Sequence, residues 1–130
     1  VDLQELERWL AQARHTLTSA ERDAQGGDFD WACFKAQQAG EYAIKGLLRG
    51  LGRPAYGHSI MRLLEELRAG HVDVPEELVE AAQELDIHYI PARYPDAYPE
   101  GSPFEFYNPR RAEEALRAAR RILAWVREAV

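Results

Sequence analysis

In the stretch GRPAYGHSI, four residues separate Arg53 from His58. A guanidinium and an imidazole at that spacing could hold phosphate charge and move a proton, because arginine presents a planar fork of donors and an unperturbed histidine titrates at about 6.5. A second chemical row lies upstream, where Gln37, Glu41, Lys45 and Arg49 recur at four-residue steps. On a helix they share one face, with Glu41 preceding Lys45 in the favourable order for an ion pair. Lys45 and Arg49 could then meet phosphates, while Gln37 or Gln38 hydrogen-bonds a base or a partner's backbone. A third group is Arg93, Tyr94, Pro95 and Asp96, a cation beside a ring that could stack on a base.

Each group also has a purely architectural reading. Gly52 can end a helix, Pro54 stiffens the connection, Gly57 permits an unusual backbone angle and Ser59 can cap the next helix. His58 would then sit where orphan amides at a helix start attract anions and disfavour imidazolium. As an exposed face, the Glu41 row would contribute only about 0.3 to 0.5 kcal/mol through its ion pair. The other histidines are poorer candidates: His15 lies among polar helix residues, His71 follows Gly70 in a turn, and His88 precedes Arg93 rather than following it. Glu84 and His88 form a lone four-residue pair, whereas a bundle metal site wants carboxylate and histidine three apart on two helices. No metal and no cofactor are expected. Cys33, the only cysteine, reads as a small core side chain.

The elements that must position these groups follow from apolar spacing. Leu3, Leu6, Leu10, Ala13, Leu17, Ala20 and Ala24 predict one amphipathic helix over residues 2–25, with Asp2 and Glu5 as a capping pair. Gly26 and Gly27 end it, and Asp28 is placed to cap a second helix. That helix carries Cys33, Ala36, Gly40, Ile44, Leu47 and Leu48 inward, and its small residues allow a close neighbour. Ile60, Leu63, Leu64 and Leu67 mark a short third helix. Asp73 with Glu76 reads as a capping pair for a fourth, running through Leu78, Leu85 and Tyr89. Asn108 and Pro109 open the last. With no sustained alternation and no repeat, the expectation is an all-α, up-and-down antiparallel bundle of about five helices, one domain over residues 1–130. The connector 93–108 holds several prolines and aromatics and is too long for a plain link; it should cover one end of the bundle, bury itself in a dimer contact or wall a ligand cleft.

Bulk properties narrow the function. The formal charge of -6 opposes tight, sequence-independent nucleic-acid binding. No apolar run is long enough to span a bilayer, and VDLQELERWL lacks the form of a secretion signal, so a cytoplasmic protein is expected. The arginines of the last helix alternate with Glu113, Glu114 and Glu128, which fits a solvated or interfacial face.

AQQAGEYAIKGLL, GHSIMRLLEEL and ARYPD together resemble the HEPN family, the nucleotide-binding domain of higher eukaryotes and prokaryotes, over nearly the whole chain. The resemblance rests on Gln37, Gln38, Ala39, Glu41 and Lys45, then His58 and Ser59, then Arg93, Tyr94 and Pro95. It implies a helical bundle that commonly forms a homodimer and works beside a small nucleotidyltransferase, here a separate chain, in a toxin–antitoxin-like pair. It also implies a nucleotide or partner site drawn from Gln37, Glu41, Lys45, Arg49, Arg53, His58, Ser59, Arg93, Tyr94 and Asp96. Ribonuclease members carry an Arg followed four to six residues later by His, which makes Arg53 and His58 the catalytic pair of an alternative reading as a metal-independent ribonuclease acting on RNA. That motif usually lies by a later helix, where Arg93 has no His after it. A purely structural interaction subunit is the third reading.

Overall fold

Small side chains along the second helix decide how the chain packs. The computed structural model describes residues 1–130 as five helices and no strand: α1 (Leu3–Gln25), α2 (Phe29–Gly50), α3 (Ile60–Ala69), α4 (Glu76–Asp86) and α5 (Pro109–Glu128). Helix α2 packs against each of the other four. Its alanines 32, 36, 39 and 43 are fully buried. A Cβ built on Gly46 would lie 2.6 Å from Trp9 Cβ of α1, and one on Gly40 2.9 Å from Ile60 Cδ1 of α3. Backbones approach this closely only where a side chain is missing. The antiparallel α1–α2 pair turns at Gly26 and Gly27, the latter at φ 88°, with α3 and α4 closing one side and α5 lying across α1, α2 and α4.

The core is a single apolar cluster. Leu6 and Leu10 of α1, Ile44 and Leu48 of α2, Leu63 and Leu67 of α3, Leu85 of α4 and Ile122 of α5 are all essentially inaccessible. Cys33 lies inside it, and burial pushes its thiol up to about 12, so it is an inert core side chain as expected. No helix is long and apolar enough to cross a membrane.

Several local expectations are met and some are corrected. Asp2 Oδ1 accepts from the Glu5 amide at 3.1 Å, Ser59 Oγ from the Arg62 amide at 3.2 Å and Asn108 Oδ1 from the Arg111 amide at 2.9 Å. Asp28 stands at the α2 N-cap without a side-chain bond. Pro75, not Asp73, is the α4 N-cap, and the proline ring's fixed φ suits the extended cap geometry. Helix α4 stops at Asp86; His88 and Tyr89 therefore stand in the following run of turns. Pro91 and Pro95, neither able to donate a backbone hydrogen bond, reinforce that stop.

The connector covers one end of the bundle, one of the arrangements expected for it. Two short 3₁₀ turns, Pro95–Ala97 and Pro103–Phe106, give it order. Ser102 and Glu105 form a capping box on the second, and Tyr98 stacks on Phe106 with centroids 4.3 Å apart. Tyr107 is buried, and its hydroxyl lies 2.8 Å from Nδ1 of the fully buried His88.

His88 makes stability depend on pH. Burial, aided by Arg111, lowers it from 6.5 to about 4. Between those values the unfolded chain binds a proton that the folded chain refuses, so stability is lost as pH falls through this window and this group adds nothing further below it. A gap of that size corresponds to about 3 kcal/mol. Urea unfolding at neutral pH and at the acid end of the window should show a loss of this order. His88→Gln, which cannot titrate, should remove most of that difference.

Candidate functional site

The chemistry-bearing residues meet where α4 ends, α3 begins and the middle of α2 passes behind both. Asp86 is the hub. Its Oδ1 accepts from the Ile60 amide at 2.9 Å and from Gln37 Nε2 at 3.3 Å; its Oδ2 accepts from the Met61 amide at 3.0 Å and from Ser59 Oγ at 3.1 Å. A carboxylate on the last residue of a helix opposes that helix's own dipole. Here it is placed at the positive end of α3, where it satisfies amides that the helix leaves without partners. The anion expected at this helix start is therefore the protein's own.

Gln37, fully buried, ties the turn down by donating from Nε2 to the His58 carbonyl at 2.7 Å. Gln38 Nε2 donates to Gln37 Oε1 at 2.8 Å and to Glu41 Oε1 at 3.3 Å. The other oxygen of Glu41 accepts from Lys45 Nζ at 3.0 Å and lies 3.3 Å from His58 Nδ1. Because a carboxylate only accepts, Nδ1 carries a hydrogen toward Glu41, and in the neutral ring Nε2 is left as an acceptor. Glu41 and Lys45 are largely shielded, at 4% and 13% side-chain exposure, while His58 is 58% exposed. The row is thus a partly buried network rather than a solvated face, and removing one partner of such a pair costs more than an exposed ion pair contributes.

An aromatic layer lies beside the network. The His58 ring stacks on Tyr89 at 4.7 Å and 14°. The Arg93 guanidinium sits 4.1 Å from the Phe34 centroid, 4.7 Å from Tyr89 and 4.9 Å from Tyr94. Its Nε and Nη2 both donate to the Tyr89 carbonyl, at 3.0 and 2.7 Å. This satisfies an acceptor in the turn and leaves Nη1 toward other partners. Tyr94 is 48% exposed, and Asp96 is exposed in the first short turn of the connector.

Gln37, Glu41, Lys45, His58, Ser59, Arg93 and Tyr94 are therefore joined through shared contacts; of the other three expected members, the exposed Asp96 makes no side-chain hydrogen bond or ion pair to them, and Arg49 and Arg53 stand elsewhere. Arg49 lies over the Trp9 ring at 5.3 Å, on the α1 side. Arg53 pairs through Nη2 with Glu66 at 3.3 Å and lies against Gly70, where a Cβ would be 2.8 Å from Arg53 Cδ. Those two partners lie about 10 to 16 Å along α3 from Ser59 at 1.5 Å per residue. Arg53 thus points to the far end of the helix that His58 begins, and the two do not form a pair. Asp86, Tyr89 and Phe34 are the members that sequence reasoning missed. A carboxylate at a helix C-terminus with no basic residue in the last turn was the available signal for Asp86.

An antiparallel bundle of five helices with a polar junction at the α3 entrance defines the class of protein, and comparison with known proteins gives the family. The HEPN domain family model matches residues 6–129. The crystal structure of TT1696 from Thermus thermophilus superposes with TM-score 0.93 at 52% identity, covering 97% of this chain and 98% of that one. ST0689, an archaeal HEPN homologue, gives 0.82 at 41%, covering 96% and 97%. A HEPN domain protein from Thermotoga maritima, tm0613, gives 0.75 at 34%, covering 94% and 96%. No curated protein sequence matches. The chain belongs to the HEPN family.

Asp86→Ala should leave the Ile60 and Met61 amides without their acceptor, at a cost of about 2 to 3 kcal/mol. The expected outcome is a lower urea midpoint together with faster hydrogen exchange at those two amides than at core amides of α5. Asp86→Asn, which keeps an acceptor oxygen, should recover part of the loss.

Proposed function

We propose that the junction is a nucleotide site and that the chain is a HEPN binding module rather than an enzyme. The observation that carries this reading is the set of groups left unused once the internal network is satisfied. In the neutral ring His58 Nε2 is a free acceptor, as is Gln38 Oε1; Arg93 Nη1 is a free donor, and Tyr94 is 48% exposed. Acceptors suit the amino and imino hydrogens of a base edge, the ring suits its face and the guanidinium suits a phosphate. The α3 N-terminus takes no phosphate in this reading, since Asp86 fills it. Lys45 contributes through Glu41, not directly.

The module acts beside a separately encoded small nucleotidyltransferase, in a toxin–antitoxin-like pair, as a cytoplasmic homodimer. Trp31, Ile87 and Ile90, at 45%, 52% and 47% exposure, are large apolar side chains that partner contact would cover. The metal-independent ribonuclease alternative loses support from the separation of Arg53 and His58, because a phosphate held by one would not be within reach of the other.

Calorimetric titration with purine and pyrimidine nucleotides tests the reading. Binding should depend on the base, and mono- and triphosphates of one base should agree within about threefold, because a single guanidinium faces the phosphates. Arg93→Ala and His58→Ala should each weaken binding by about tenfold or more. Absence of heat with every nucleotide refutes it. RNA cleavage without added metal that disappears in both Arg53→Ala and His58→Ala would establish the alternative instead.

A further inference from the structure

A cleft of about 270 Å³ lies between α4 and α5, and none of its lining residues belongs to the junction. Glu80 and Glu84 line it from α4 and Glu114 from α5, together with the buried methyls of Ala81 and Ala118. None of the three carboxylates pairs with a lysine or arginine: of the two arginines in the lining, Arg117 turns to Glu113 outside it at 3.1 Å, and Arg121 makes no ion pair. Helix α4 has no basic residue of its own to supply one. Burial, and then the charge of Glu114, raise the Glu84 carboxyl above its usual value, and Arg111 offsets only part of this. Arg111 is itself engaged with the Phe106 carbonyl at 3.0 Å and the Tyr107 ring at 4.8 Å.

A second observation comes from beneath the cleft. His88, fully buried, uses Nδ1 on the Tyr107 hydroxyl, and its Nε2 is aimed at Glu84 Oε2 from 3.8 Å, too far for a hydrogen bond. No other group partners that nitrogen. A buried polar atom without a partner calls for an explanation, and this one borders carboxylates that lack a cation.

We infer that this cleft is a binding site for a primary ammonium group on an alkyl stem, carried by a free diamine or by a lysine side chain of a partner. An ammonium holds three donors on one atom and meets acceptors from several directions, whereas a guanidinium fork matches one carboxylate in a plane. Here the acceptors come from two helices. The methyls of Ala81 and Ala118 suit the methylenes of the stem. A cation between Glu84 and Glu114 removes their like-charge repulsion and holds Glu84 ionised. In the tautomer with its hydrogen on Nε2, where the Tyr107 hydroxyl donates to Nδ1, His88 then donates to Glu84 after a shift of about 1 Å. A metal ion fits less well, because no three carboxylate, imidazole or thiol side chains are grouped so as to hold one.

The test is calorimetric titration of the intact protein with putrescine and with lysine blocked at both backbone ends. Tetramethylammonium, which carries the charge without a donor, and magnesium are the controls. At least one of the two amines should bind saturably, and weaken with added salt. Binding of putrescine alone assigns a free amine, binding of blocked lysine alone assigns a partner's side chain, and binding of both assigns the ammonium group whatever carries it. Glu84→Gln and Glu114→Gln, each verified to unfold in urea as the parent does, should weaken binding by about tenfold or more. Glu77→Gln, on α4 but outside the cleft, should change it by less than about twofold. All three should leave nucleotide titration at the junction unchanged, while His58→Ala should leave amine binding unchanged, so that failure of one site is told apart from failure of the other. Equal binding of tetramethylammonium or magnesium, indifference to both Glu84→Gln and Glu114→Gln, an equal loss in Glu77→Gln, or no binding of either amine would each overturn the proposal.

Discussion

One carboxylate joins three helices. Asp86 occupies the end of α4 where its own helix repels it, and the start of α3 where the opposite field and two unpaired amides accept it. Its bonds to Ile60, Met61, Ser59 and Gln37 fix the angle between α3 and α4 and press the preceding turn onto α2. His58 takes its place from that turn, since its carbonyl is held by Gln37 and its ring by Glu41 and Tyr89. Tyr89 in turn begins the segment from which Arg93 reaches back. The order of dependence runs from the Asp86 bonds to the turn, from the turn to the imidazole, and from the imidazole to the aromatic layer.

The network tolerates this much polarity near the core because nearly every group in it has a partner. Glu41, 3% exposed, is matched by Lys45, Gln38 and His58, so its burial leaves no isolated charge. The small residues of α2 are the other half of that arrangement. Gly40 brings Ile60 and Leu85 within about 3 Å of where a side chain would stand, which carries the α3 start and the α4 end close enough to α2 for Gln37 to reach both. Packing and polar satisfaction are therefore one constraint here: a Cβ at Gly40 would push away the two elements that Gln37 and Asp86 hold together.

The helices, their order and the shared face of Gln37, Glu41 and Lys45 were legible in the sequence, because apolar period and four-residue spacing are local signals. Capping by Ser59 and Asn108 was legible for the same reason. The grouping of His58 and Arg93 with that face came from the family resemblance. Pro75 displaced Asp73 because an extended, fixed φ competes with a side-chain cap, and both residues were plausible from composition alone. Arg53 shows where local reading fails: its spacing from His58 is short along the chain, but the left-handed Gly52 at φ 74° turns the chain so that the guanidinium meets Glu66, a partner set by the direction of α3. Asp86 offered only the hint of an acid at a helix C-terminus, since its donors lie 25 to 49 positions away and nothing in its neighbourhood names them.

Where the arginines ended up bears on what the protein can bind. Arg49 and Arg93 carry no carboxylate partner within ion-pair distance, yet each lies on aromatic rings. A guanidinium held over a ring keeps its charge, and in Arg93 its Nη1 donors, while losing rotamer freedom before any ligand arrives. It costs less to bind through such a group than through a free surface arginine. The same stacking closes the ring face to a base. Each of these pairs is consequently better suited to an anionic group approaching edge-on than to a base sliding between rings, and Tyr94, 48% exposed, is the place in the junction where stacking remains available. Charge and stacking are thereby divided between neighbouring residues, as the proposed nucleotide site requires.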